Sequence, residues 1–193
     1  MIEQNSPDIP ELCIDIAVDE PLWNKVTTDN NHLLEKTLRA VFVATWPHIQ
    51  KTFAENDGEH AVAEVSLVLT NDQIVRSLNS SYRQQDKATN VLAFAALDEA
   101  DVFRMAKDAP IILGDIVVGY GVTKSEAKDK KISVSSHLCH LVVHGMLHLL
   151  GYDHLNDDDA REMENMETLV LKHLGINDPY AVAAEAVVIK GDI

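Results

Sequence analysis

The sequence predicts an α+β fold, a mixed β-sheet packed with helices in a single domain spanning residues 1–180, with a tail at 181–193. Two observations predict it. Short apolar runs rich in β-formers are interspersed with stretches whose apolar residues recur at helical spacing, yet strand and helix do not alternate strictly. The length of 193 residues suits one domain and is enough to bury a real core.

In order along the chain, LCIDIAV at 12–18 is short and apolar and reads as a strand. Residues 30–45 repeat Leu34, Leu38, Val41 and Phe42 at helical spacing, and Pro47 is expected to weaken that helix near its end. Residues 61–69 read as a strand. They lead into Thr70-x-x-Gln73, a capping-box pattern expected to open a short helix through Asn79. SYRQQDKATN comes next as a polar loop, then two strands at 90–96 and 111–118 on either side of an acidic insertion at 98–109. A charged helix is expected at 123–130. Ser133 or Ser135 can cap a strongly apolar helix that runs to about Leu150 and stops at Gly151. The last helix should run from Asp157, whose neighbouring aspartates suit a helix N-terminus, to Leu174, with Gly175 as its stop.

Composition excludes several function classes. No run of eighteen apolar residues occurs, so no membrane helix and no membrane partner are expected. The N-terminal stretch has no basic segment followed by an apolar one, and Cys13 and Cys139 are too few and too far apart for a disulfide framework. Cytoplasmic residence is the expectation. Net charge is −15, which disfavours indiscriminate binding to nucleic acid. The charge is uneven, however: residues 76–131 hold nine basic groups against eight acidic ones, leaving −16 to the rest. A polyanionic partner should approach that middle third, and extra basic residues around Lys124 to Lys131 should increase binding to arbitrary single strands.

The chemistry concentrates in HGMLHLLGYDH, residues 144–154. On a helix, residues four apart share a face with Cβ atoms roughly 5–6 Å apart, close enough for two imidazoles to meet one ion. His137, His140, His144 and His148 all fall on one such stripe. His140 and His148 would stand about 12 Å apart along the axis, so only neighbouring pairs can chelate. The residues just beyond His148 choose the pair. Gly151 can adopt the left-handed conformation that turns the chain back and delivers His154 from outside the helix. The result is a zincin-like His-x3-His-x5-His site, His144, His148 and His154, for one zinc ion per chain. Three protein ligands leave a position open, as in a catalytic rather than a structural zinc. The spacing is that of long-motif zinc peptidases, except that Gly145 replaces their general-base glutamate. His140 and Asp153 are candidates to orient the ligands from behind, Asp153 being equally readable as a solvated turn aspartate; His137, like His140, supports or packs, and Cys139 reads as a packing residue.

HLVVHGMLHLLGYDH resembles the signature of the YbeY family of bacterial endoribonucleases. LNSSYRQQDKATNVLAF at 78–94, ILGDIVV at 112–118 and DDDAREMENMETLVLKHLGINDPY at 157–180 extend the resemblance. The chain departs from the family where Ala88 replaces a proline and Ala93-Phe94-Ala95 replaces Ser-Phe-Pro, which suggests a looser loop and strand end. The resemblance implies a metal-dependent ribonuclease acting on single strands. Its partners would be ribosomal RNA and ribosomal particles, its task maturation of the small-subunit RNA 3′ end and ribosome quality control. It further implies zinc on His144, His148 and His154, and a functional Arg83, whose alternative is a surface salt bridge with Asp86.

Gly145 agrees with RNA as substrate. Peptide hydrolysis needs a proton delivered to an amine, the task for which glutamate is kept. RNA cleavage expels an alkoxide through a more negative transition state, which suits a guanidinium. Two other readings remain: a zinc hydrolase of another substrate class, such as a peptidase, and a non-catalytic ribosome-associated zinc module.

Overall fold

The computed structural model describes residues 9–27, 31–54, 62–96 and 109–180. Among them the strands are β1 (Glu11–Val18), β2 (Val62–Thr70), β3 (Val91–Ala95) and β4 (Ile111–Gly119). The helices are α1 (Asn24–Thr27), α2 (Asn31–Ala54), α3 (Asp72–Arg83), α4 (Tyr120–Asp129), α5 (Val134–Leu149) and α6 (Asp157–His173). The sheet order is β1-β2-β4-β3, with β1, β2 and β4 parallel and β3 antiparallel to β4. This is the expected α+β class with a mixed sheet. The acidic insertion at 98–109 (save Ala109) and the tail at 181–193 lie outside the described residues. No helix among the described residues is long and apolar enough to cross a membrane.

One face of the sheet carries the core. Ala63, Val65, Leu67 and Leu69 of β2 alternate into it and are buried. Strand β4 breaks that alternation, because Glu64 pairs with Ile112 but Val65 pairs with Gly114, so Leu113 is the extra residue of a bulge. The bulge shifts parity, and buried Ile111 and Leu113 are followed in the core by Ile116 and Val118. Gly114 makes it possible: its φ is +127°, and a Cβ there would overlap the Phe94 carbonyl oxygen. Strand β3 pairs with β4 through Ala95, and the Ala96 N–H still reaches the Leu113 carbonyl at 3.1 Å. The strand end is therefore held, against the looser end suggested by Ala93-Phe94-Ala95.

Helix α5 packs between the sheet and α2, α4 and α6, which explains why it is apolar on nearly all sides. Gly145 lets it approach β4 closely, since a Cβ there would lie 2.9 Å from Ile116 Cγ2. Helix α2 runs through Pro47 to Ala54, where the sequence suggested weakening. Pro47 cannot donate to the Val43 carbonyl, but Val43, Ala44, Pro47 and His48 form the exposed side, where solvent has access to that carbonyl. Trp46 and Ile49, buried on the other side, hold the turn in place.

Helix α3 differs from expectation at both ends. Its N-cap is Asn71, whose side chain accepts from the Gln73 and Ile74 N–H groups at 3.1 Å, while Thr70 is buried at the end of β2. It continues to Arg83, four residues beyond Asn79, so the first part of the expected polar loop is helical. Asp72 also serves α4, which has no side-chain cap of its own: its Oδ1 accepts from Gly121 N–H at 2.8 Å and Val122 N–H at 3.2 Å. That contact fixes the start of α3 against α4.

Candidate metal centre

Ser133 caps α5 by accepting from Ser136 N–H at 2.9 Å. At the other end Gly151, with φ +88°, reverses the chain, and Tyr152 N–H bonds back to the Leu147 carbonyl at 3.0 Å. This turn brings His154 to the helix pair. The ligand-capable ring nitrogens of His144, His148 and His154 lie within 4.8 Å of one another.

The state of the rings is set by the groups behind them. His144 Nδ1 is 2.8 Å from Glu167 Oε1, and His148 Nδ1 is 3.0 Å from the Tyr152 carbonyl oxygen. Both partners are acceptors, so each Nδ1 carries the hydrogen and donates. Burial, together with His144 and His154 nearby, holds the His148 imidazole below its ordinary range and so neutral. In their neutral forms both rings then expose a bare Nε2 lone pair. The two Nε2 atoms face each other at 3.2 Å. Two lone pairs at that distance repel unless a cation stands between them. Tetrahedral ligation at ~2.0–2.1 Å separates two ligand nitrogens by about 3.3 Å, so the arrangement fits a metal ion.

Glu167 is absent from the site expected from sequence, yet it organises the centre. Only 1 % exposed, it accepts from His144 on Oε1, and from His140 Nε2 (2.8 Å) and the Tyr180 hydroxyl on Oε2. Burial opposes its ionisation, but those three donors outweigh burial and hold its pKa down to about 2. Tyr180 is pushed up by its own burial and by the same carboxylate, so it remains a donor. The signal was present in the sequence, because Glu167 sits on the apolar stripe of α6 with Met163, Val170 and Leu171. A carboxylate there needs a reason.

His140 thus stands one residue behind the ligands, hydrogen-bonded to the carboxylate that orients His144. Asp153 takes the turn position, the second of its two sequence readings. Its Oδ1 accepts from the His154 backbone N–H at 2.7 Å, so it shapes the turn rather than a ring. His137 stands apart, its Nε2 2.7 Å from Glu126 Oε2, while Asn90 Nδ2 donates to the same carboxylate at 2.9 Å. Burial chiefly holds the His137 imidazole below its ordinary range.

A cleft of about 400 Å³ opens beside the three histidines, and Arg83, Asn90, Gly145 and Asp153 also line it. Arg83 is exposed and has no hydrogen bond or ion pair among the described residues. Its expected alternative partner, Asp86, is taken by Arg76, with contacts of 2.6 and 2.7 Å.

Glu167→Gln keeps the shape of the residue but removes the charge that fixes the Nδ1–H form of His144. We expect zinc affinity to fall about 10–100-fold, as for other groups that orient a ligand histidine. Competition with a chromogenic chelator measures it, and unchanged affinity would show that the carboxylate serves packing alone.

The comparisons with known proteins point to one family. The family model described as endoribonuclease YbeY matches residues 25–175. An endoribonuclease YbeY of Bradyrhizobium diazoefficiens is 53% identical over 125 residues, covering 65% of this chain and 68% of that one. Another, of Rhizorhabdus wittichii, is 42% identical over 175 residues, covering 89% and 99%.

Proposed function

Because the chain belongs to the endoribonuclease YbeY family, we propose that it is a zinc-dependent endoribonuclease that cuts single-stranded RNA in ribosomal RNA maturation. Its substrate is the 3′ end of the small-subunit RNA on ribosomal particles, and its roles include ribosome quality control in the cytoplasm. The observation that carries the chemistry is the pair of bare Nε2 atoms at 3.2 Å, fastened from behind and opening on a cleft that also holds an unpaired arginine.

One zinc ion would be held by His144, His148 and His154. When bound, it supplies Lewis acidity toward a phosphoryl oxygen and toward water. The chain's own residues do the rest. Glu167 and the Tyr152 carbonyl hold two imidazoles in the ligating tautomer, so no reorientation accompanies substrate binding. Arg83 meets the phosphate across the cleft and offsets the charge that grows on its oxygens. Gly145 lies in the same cleft with no side chain to occupy the space. A glutamate at that position would have to displace Ile116, which disfavours the peptidase reading.

Selectivity is a consequence of charge. At −15 the protein gains little from phosphate neutralisation and should bind free RNA weakly. A presented strand, unpaired and held on the ribosome, compensates for that weakness. Cleavage of precursor particles should therefore exceed cleavage of the same RNA stripped of protein at physiological salt. Gel analysis of both reactions measures this, and equal rates would count against a ribosomal substrate.

A further inference from the structure

Around the metal cleft the charge is uneven, with Asp153 in its lining continuing into a second, acidic pocket. Beyond His154 the chain enters α6 through Asp157, Asp158 and Asp159, with Asp153 and Glu162 close by. Asn90 also lines the cleft, and its amide is held by Glu126 of α4. Glu126 is occupied there, since it bonds both Asn90 and His137. On α4 and the turn after it, Lys124, Lys128, Lys130 and Lys131 are all exposed, against one exposed carboxylate, Asp129. None of the four has an ion pair or side-chain hydrogen bond among the described residues; Lys124 Nζ lies 5.7 Å from the Tyr120 ring centroid.

Two exposed arginines of the described residues do pair with carboxylates, Arg76 with Asp86 and Arg161 with Asp158. Lys130 lies one helical turn beyond Glu126, and its charge is felt by His137, which places it beside the Glu126–Asn90 contact. A row of unpaired lysines therefore continues outward from the Asn90 wall, in a protein whose other flank would repel a polyanion.

We propose that RNA in the metal cleft extends in one direction, across Asn90 onto the Lys124–Lys131 face of α4, with the aspartates at the start of α6 disfavouring the other. This rests on the ribonuclease reading and deepens it by naming the path of the strand. Phosphates on that lane displace counterions from the lysines, so each contact contributes about 0.7 to the slope of log affinity against log salt.

The test compares two double variants of equal net charge, Lys128→Gln/Lys130→Gln on the lane and Lys36→Gln/Lys172→Gln on α2 and α6 away from it. Binding of a short fluorescent 2′-O-methyl single strand is read by anisotropy across a salt series on the zinc-loaded protein, with RNA cleavage by wild type measured in parallel. The lane variant should lose about 1.4 from the slope, two contacts' worth, and the control should keep the wild-type slope. Equal slopes for the two variants, whether changed or unchanged, would overturn the lane. If wild type binds with this pattern but cuts no RNA, the ribonuclease reading fails while the binding lane stands.

Discussion

Replacing His148 by alanine should empty the metal centre and abolish RNA cleavage while leaving the fold intact. Two imidazoles remain, but the facing Nε2 pair is lost and the ion keeps only His144 and His154, of which His154 is exposed. The helix does not depend on that ring, because Met146, Leu147 and Leu149 beside it remain buried in the core. Elemental analysis should find zinc falling from about one per chain to near none, with helical circular dichroism unchanged. His137→Ala is the informative contrast. It removes the partner of Glu126 rather than a ligand, so it should lower thermal stability while zinc and cleavage persist. Zinc retained by His148→Ala, or lost from His137→Ala, would contradict the ligand assignment.

Arg83→Ala should reduce kcat for RNA about 10²–10³-fold, the scale on which removing one donor to a developing oxyanion is felt. Zinc content and melting temperature should stay at wild-type values. The structure removes the competing explanation of such a loss, since Asp86 pairs with Arg76 and Arg83 holds nothing together among the described residues. Even an exposed pair would contribute only ~0–1 kcal/mol. A fall in melting temperature comparable to that of a core variant, with kcat unchanged, would make Arg83 a structural residue.

Features were legible in the sequence to the extent that their cause was local. The three histidines were readable because helix periodicity and one glycine turn are properties of consecutive residues, and Gly151 does take the left-handed conformation. The ends of α5 and α6 were readable for the same reason. The start of α3 was misplaced by one residue because Thr70 and Asn71 both suit a cap, and Thr70 is drawn into β2. The passage of α2 through Pro47 depends on which side faces solvent, a tertiary fact. The bulge at Leu113 has a local mark in Gly114, but the tight fit of that glycine against the Phe94 carbonyl of β3 is a tertiary fact.

The site divides in the same way. His144 and His148 are neighbours on one helix and the Tyr152 carbonyl meets His148 through the Gly151 turn, whereas Glu167, with Tyr180 bonded to it, meets His144 only once α6 packs back on α5. Asp153 drew attention by adjacency to His154, but its carboxylate satisfies the nearest backbone N–H first. A buried carboxylate on an apolar stripe was the better sequence signal, and Glu167 is the residue it would have found.

The most direct test of the account is a crystal structure of the zinc-loaded protein with anomalous scattering at the zinc edge. The account predicts one ion within ~2.0–2.1 Å of a ring nitrogen from each of His144, His148 and His154, with Glu167 still on His144 Nδ1 and a fourth position free of protein. An ion on His137 or His140 instead, or a fourth protein ligand closing the site, would contradict it.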